Sequence, residues 1–351
     1  MASDLLIIGQ GLAGTMVAWE AHWQGLQVTI IDPDPADSAS KVAAGIVNPI
    51  TSKRLSKSWD FDRLFPVAEL FYQRTAKELG VAHYRRLPIL RCLDEEVSTN
   101  AWEKKRERED FRQLWTDDAR ANQPVDENFF RRPGIHFATA SSGVLATEEF
   151  LQASRRFFSK HHQVVAEEVD IDSLTPGDTG VEYWGLSAKQ AVLCQGWQGT
   201  SNRFFDWVPL RRARGEVAEF ELPGCDEDRV VNRGKWLLPK GGGRFLAGST
   251  YDWATTHSDP TDAGLEEIRC GLGKILAKPC PDILRHRAGV RPVIQGSRLL
   301  CGRHPGHPSI AFLNGLGSKG VLNAPLHAAA LVSHLVHGTA IDDAVDLQGN
   351  T

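Results

Sequence analysis

An α/β fold is predicted by three observations at the two ends of the 351-residue chain. A short unbroken apolar run (residues 5–8) leads through three glycines into a helical stretch. A second apolar strand follows at once and ends on Asp32. Near the carboxyl end, strand, glycines and helix recur in the same order. The first two observations make a βαβ unit, the building block of parallel sheets clothed by helices on both faces.

Residues 5–8 suit a strand buried on both faces, since the run has no polar alternation. Residues 15–24 read as a helix and 27–31 as the second strand, which Pro33-Asp34-Pro35 forbids from continuing. Residues 60–79 carry Phe61, Leu64, Phe65, Val67, Ala68, Phe71 and Tyr72 near helical spacing, with Pro66 in the first turns and Gly80 as the stop. Residues 100–120 alternate in charge sign and are expected to form one solvated helix. Residues 147–158 read as helix, and 163–171, 181–184 and 191–193 as strands. Several short strands are expected over 208–250 and a helix over 263–277. The strand 309–313 then leads through Gly315, Gly317 and Gly320 into a closing helix that ends near His337.

Length and composition limit the function classes. The chain is long enough for about two domains. Apolar residues make up 42% and charged residues 24%, which excludes a disordered, collagenous or coiled-coil chain. A net charge of −4 supplies no global basic field, so no nucleic-acid partner is expected. The six cysteines are scattered without a C-x-x-C, an argument against zinc and a disulfide framework and for reduced thiols in a reducing cytoplasm, and no metal is expected. No apolar run reaches the length of a membrane span. The amino-terminal run lacks the basic region of a signal peptide.

The hexapeptide Gly9-Gln10-Gly11-Leu12-Ala13-Gly14 is G-x-G-x-x-G, set between strand and helix, with Asp32 closing the next strand. Gly9 makes the tight turn, Gly11 admits a pyrophosphate to the backbone, and Gly14 lets helix and strand pack closely. The helix start offers N–H groups and a positive dipole end to phosphates, and Asp32 accepts from ribose hydroxyls. This fingerprint does not choose between nicotinamide and flavin. Two features favour flavin. Small residues over 38–45 leave room for a bulky ring. A second helix start, at the carboxyl end, suits a cofactor on which negative charge develops, as it does on a reduced flavin's N1–C2=O edge.

Taken together, GQGLAG, ASKVAAGIVNP, Val169, AVLCQGW, PLRRARGE, WLLPKGGGRFLAGST, GVRP and NGLGSKGVLNAP give the chain a resemblance to a known family. It resembles the FAD-dependent amine and amino-acid oxidoreductases of the D-amino-acid oxidase, glycine oxidase and sarcosine oxidase class. The resemblance implies a discontinuous Rossmann-type FAD-binding domain (1–80, 140–207 and 286–351). It also implies an α+β substrate domain with an antiparallel sheet (81–139 and 208–285), the flavin ring lying between the two. Carried over, the FAD contacts are Gly9, Gly11, Leu12, Ala13, Gly14, Asp32, Lys41, Ala43, Ala44, Gly45, Val47 and Asn48. They continue with Val169 at the adenine, Cys194, Gln195, Gly196 and Trp197 near the adenosine and pyrophosphate, and Gly289 and Arg291. Gly315, Leu316, Gly317, Ser318, Lys319 and Gly320 lie at the flavin's pyrimidine edge. Three places depart from the family's usual pattern: Lys319 in the terminal loop, the segment after GVRP, and the basic run 48–54.

The implied activity is oxidation of a C–N bond in a small amine or amino acid, by hydride transfer to flavin N5. The same scaffold also suits C–O oxidation of a hydroxy acid, or a non-catalytic flavin-binding module. The electron acceptor and oligomeric state stay open. Arg291 is the candidate clamp for a substrate carboxylate, and Arg54 a candidate second anion contact or part of a solvated basic loop. Lys319 sits where a helix dipole disfavours a cation. It is read either as a catalytic cation for a reduced flavin or an oxygen-derived anion, or as a lysine pointing to solvent. Trp59, Tyr251 and Trp253 are read as core aromatics or as walls of an amine pocket. His304 and His307 are read as a turn with two exposed imidazoles.

Overall fold

The computed structural model describes residues 3–255, 257–294, 296 and 298–349. Its first sheet grows from the predicted βαβ unit. Strand β1 (Ser3–Ile8) runs parallel to β2 (Val28–Ile31) through helix α1 (Leu12–Trp23). Parallel order continues outward on both sides, with Gln163–Val165 beside β2, and Leu186–Leu193 then Ile310–Asn314 beyond β1. The antiparallel strand Leu300–Arg303 closes one edge. A hairpin (Thr175–Gly177, Gly180–Tyr183) pairs with the first half of Leu186–Leu193. Helices α1, Phe61–Leu79, Thr147–His161 and Gly320–His337 share one apolar core with the sheet, Trp19 fully enclosed among them. The C-terminal strand therefore joins a sheet begun at the amino terminus, one strand in from its edge and parallel to β1's neighbour Leu186–Leu193, and both glycine turns open at the same end of the sheet.

The second sheet has eight strands, in the order Ile283–Ile294, Leu210–Glu221, Arg244–Gly248, Lys235–Gly241, Val230–Arg233, Ile89–Leu93, Ile135–Thr139 and Trp115–Thr116. It is antiparallel except where Val230–Arg233 runs parallel to Ile89–Leu93. Helix Asp262–Leu272 covers one face, its Ile268 and Leu272 in one core with Phe220 and Phe245 of the sheet. The opposite face presents Val217, Val230 and Leu246 to Val42 and Val144, a small apolar cluster that joins the two halves. The long strand Ile283–Ile294 lies across the expected boundary at 285/286 and belongs to this sheet throughout.

Three expectations need correction. Residues 100–120 are not one solvated helix but two short ones, Glu96–Lys105 and Glu109–Arg112, followed by a strand. In a continuous helix Trp102 and Phe111 would point about 180° apart. The break lets both bury, and Trp102 stacks on Phe137 at 4.2 Å. The strand expected over 163–171 ends at Val165, where Glu167 and Glu168 begin a charged turn. The helix expected over 263–277 stops at Leu272, with Gly273 as its C-cap.

Among the described residues no helix is long and apolar enough to cross a membrane, and all six cysteines carry free thiols.

Candidate functional site

The amino-terminal glycine turn is built so that two of its glycines cannot carry a side chain. Gly9 has φ +93°, and a Cβ there would sit 2.5 Å from the carbonyl oxygen of Cys194. A Cβ on Gly14 would meet the Gly9 carbonyl oxygen at 1.8 Å. Gly11 differs, since a Cβ would meet only the Ser40 hydroxyl, at 2.9 Å. It is the N-cap of α1, and no side chain caps the helix from that position. The first turn of α1 holds no acidic residue, so its positive dipole end stays open to an anion.

Asp32 fastens this turn to the end of β2. Its Oδ2 accepts from the Gln10 amide at 2.6 Å, and its Oδ1 from the Asp34 amide at 2.7 Å. Arg155, from helix Thr147–His161, donates to the Asp32 carbonyl at 2.9 Å and to Gln10 Oε1 at 2.8 Å. No sequence motif pointed to Arg155; its signal is spatial. A carboxylate has about four lone-pair directions, so Asp32 keeps capacity for hydroxyl donors.

At the other glycine turn, Gly315 (φ +82°) and Gly317 (φ +56°) bend the chain back from the strand Ile310–Asn314. Asn314 holds the bend, accepting from the Gly315 amide and donating to the Gly196 carbonyl, both at 2.8 Å. The Gly317 amide donates to the Pro292 carbonyl at 2.9 Å, which brings this turn beside Arg291 on the second sheet.

A cavity of about 810 Å3 runs between the two turns and under the second sheet. It is lined by Gly9, Gly11, Leu12, Ala13 and Asp32 from the βαβ unit, and by Ala43, Ala44, Gly45, Val47 and Asn48 from the small-residue loop. Val169 and Cys194 to Trp197 wall one end; Gly289, Arg291 and Leu316 to Gly320 wall the other. Ser40, Gly215, Trp236, Ser249 and Tyr251 also line it, and the sequence reading did not single them out as cofactor contacts.

Four of the expected residues stand elsewhere. Gly14 lies beneath the turn, packed on Gly9. Gly315 packs on Ile294. Lys41 is buried and turned to the Asp34 carboxylate at 2.7 Å, because the 34–41 loop folds over it. Arg54 is exposed in the loop after Ile50–Thr51, its carbonyl taken by Lys105, and it does not reach the cavity.

Arg291 is positioned by a glycine. A Cβ on Gly215 would fall 1.9 Å from its Nη2, so the guanidinium lies flat across the neighbouring strand. It donates to Ser249 Oγ at 3.0 Å and stands 5.0 Å over the Tyr251 ring. Among the described residues no carboxylate pairs with it, and burial holds its pKa below the usual arginine range. Lys319, the residue preceding helix Gly320–His337, is likewise without an ion pair among the described residues. Burial lowers its ammonium pKa. Two unpaired cations thus face one cavity. Trp59 packs into the core against His327, whereas Tyr251 and Trp253 are 45% and 47% exposed. His304 is tied into its turn by the amides of Gly306 and His307, both at 2.9 Å.

Two glycine turns that a side chain would block, an open helix start and a cavity reaching from one turn to the other define a dinucleotide-binding flavoprotein. The chain belongs to the FAD dependent oxidoreductase family known as DAO, whose profile matches residues 4–334. It is 25% identical to a glycine oxidase of Pseudomonas putida, over 93% of this chain and 92% of the other. Among solved structures, glycine oxidase from Geobacillus kaustophilus superposes with a TM-score of 0.79 at 18% identity, covering 98% of this chain and 97% of that one. Iminodiacetate oxidase from Chelativorans gives 0.76 at 22%, covering 97% and 96%. The protein is an FAD-dependent oxidoreductase with the Rossmann-type fold of these relatives.

Proposed function

We propose that this oxidoreductase removes two electrons from the C–N bond of a small amine or amino acid that carries a carboxylate. The observation that carries the reading is Arg291, a guanidinium aimed into the cavity with no acidic partner of its own among the described residues. A buried cation without a counter-charge is costly, and a substrate carboxylate would offset that cost while gaining bidentate donors. Bound FAD supplies the hydride acceptor at its N5 position. Arg291 would hold the substrate carboxylate and so orient its Cα–H, Tyr251 and Trp236 wall the cavity beside it, and the imine product is hydrolysed after release. The fingerprint turn and Asp32 hold the pyrophosphate and ribose, and Gly317 to Gly320 meet the pyrimidine edge.

In this reading segments 1–80, 140–207 and 286–351 carry FAD, while 81–139 and 208–285 shape the substrate side. Strand Ile283–Ile294 is shared between them. The enzyme works on a small molecule in the cytoplasm. C–O oxidation of a dicarboxylic hydroxy acid had Arg54 as its second anion contact, and Arg54 lies outside the cavity. The test is anaerobic: amines and amino acids with a carboxylate should bleach the yellow enzyme and hydroxy acids should not. Bleaching by hydroxy acids alone would overturn the reading.

Lys319 completes the site. A cation at the positive end of a helix, half-buried and unpaired, destabilises the protein without its cofactor. Its amine pKa is lowered on folding, so this penalty is fully present below the lowered pKa. It fades as pH rises toward the unfolded value. Lys319→Met is therefore expected to raise the Tm of the apoprotein near neutral pH while slowing reoxidation of the reduced enzyme. Unchanged values of both would leave Lys319 without a role here.

A further inference from the structure

Tyr251 lines the substrate cavity, and Trp253 stands just beyond it; both are large aromatic side chains left open to solvent. They are not loose. Asp252, between them, forms a two-way backbone bridge with Arg214, at 2.8 and 2.9 Å. Its carboxylate also pairs with the Arg214 guanidinium at 3.2 Å. Arg214 is itself buried against Glu216, a fully enclosed carboxylate, at 3.0 Å. A buried ion pair thus anchors a short exposed segment, and the two rings stand side by side with centroids 5.1 Å apart.

The rings carry cations in sequence. Arg291 lies 5.0 Å over Tyr251 and Arg211 lies 4.8 Å over Trp253. Arg291 is the register partner of Ala213, and Arg211 is two residues along on the same face of that strand. Gly215, Ala213 and Arg211 therefore form a row leading from the guanidinium of Arg291 out to Trp253. Arg211 is exposed and, among the described residues, has no carboxylate partner. The two rings, tilted 56° to each other and each covered on one side by a guanidinium, form a ledge that leads from the Tyr251 wall of the cavity to Trp253. Its chemistry suits a planar, electron-rich, uncharged or anionic group.

We infer that the amine oxidised here carries a planar aromatic substituent, which stacks on Trp253 while the carboxylate is held at Arg291. This rests on the function proposed above and adds the substrate class to it. Trp253 is then a specificity-determining residue, and bare glycine is a poor substrate because it leaves the ledge empty.

Binding of non-oxidisable acids tests this without turnover. The holoenzyme is titrated with phenylacetate and with acetate, and the flavin absorption difference is followed. Wild type should bind phenylacetate about tenfold more tightly than acetate, the worth of about 1.4 kcal/mol of ring stacking. Trp253→Ala should bring the ratio near one, and Trp253→Phe should keep most of it. Equal binding in wild type, no response to phenylacetate, or an unchanged ratio in Trp253→Ala would each overturn the inference. The two readings fail separately. If no amine bleaches the enzyme but the ring preference holds, the proposed reaction falls and the ledge stands. If sarcosine bleaches it with no ring preference, only the ledge falls.

Discussion

Gly14→Ala is expected to yield colourless, thermally weakened protein, whereas Gly11→Ala should yield colourless protein of nearly normal apo stability. The two glycines belong to one hexapeptide, and the structure separates their duties. A methyl group on Gly14 would overlap the Gly9 carbonyl oxygen at 1.8 Å, with the Gly9 carbonyl carbon at 3.0 Å behind it. Both obstacles are backbone, so relief requires moving α1 away from β1, with loss of packing around Met16 and Val17. Overpacking of this kind costs about 1–3 kcal/mol, and more where backbone must yield. At Gly11 the obstacle is the Ser40 hydroxyl, which can rotate away and gives up one hydrogen bond to the Leu12 amide. The methyl would then stand in the cavity where a pyrophosphate approaches. Flavin absorbance of the purified variants, with thermal unfolding of the stripped proteins, checks both halves. Retention of FAD by Gly11→Ala would remove the fingerprint turn as the phosphate cradle.

The first turn was legible because its constraints are local. A buried strand, three glycines, a helix and Asp32 lie within one βαβ unit, and each glycine's duty follows from backbone geometry alone. The carboxyl-terminal turn was legible for the same reason. Arg155 was not, because an arginine on an amphipathic helix looks like any solvated one. Its duty comes only from Thr147–His161 packing beside the end of β2. Arg54 shows the converse. Its basic neighbourhood left open an anion contact or a solvated loop, and the loop turns outward, held by Lys105 from a helix that sequence patterning could not place against it.

The second sheet was less legible than the first for a related reason. Its strands Ile89–Leu93 and Ile135–Thr139 are short and come from a segment whose charge pattern dominates its periodicity. Trp102, Phe111 and Leu114 carry the burial there, and they face inward only because the helix breaks between them. The parallel pairing of Val230–Arg233 with Ile89–Leu93 joins residues about 140 apart, a contact that no local pattern encodes. Arg291 was singled out through its motif, and it lines the cavity. What the motif did not reveal is that Gly215, on the next strand, clears its berth.

Arg291→Ala should raise KM for carboxylate-bearing amines by about two orders of magnitude, with FAD still bound and kcat changed much less. The estimate follows from the chemistry of the contact. Truncating one partner of a buried, hydrogen-bonded charge pair costs about 2–5 kcal/mol, and each 1.4 kcal/mol is about tenfold. Among the described residues the guanidinium is held by Ser249, the Thr250 carbonyl and the Tyr251 face and by no carboxylate, so its removal strands no buried carboxylate and the fold should survive. Arg291→Lys keeps the charge and loses the planar fork, so it should recover only part of the affinity. An amine without a carboxylate, such as benzylamine, gains nothing from the clamp, and its KM should be the same in wild type and Arg291→Ala. That contrast separates a clamp from a merely structural arginine, whose loss would weaken every substrate alike. Gly215→Ala gives an independent check. Its methyl occupies the berth of the guanidinium, so it should reproduce the KM defect with Arg291 still present. Steady-state kinetics on the two substrate types decide the matter, and an unchanged KM for carboxylate substrates in Arg291→Ala would remove the clamp and the reaction built on it.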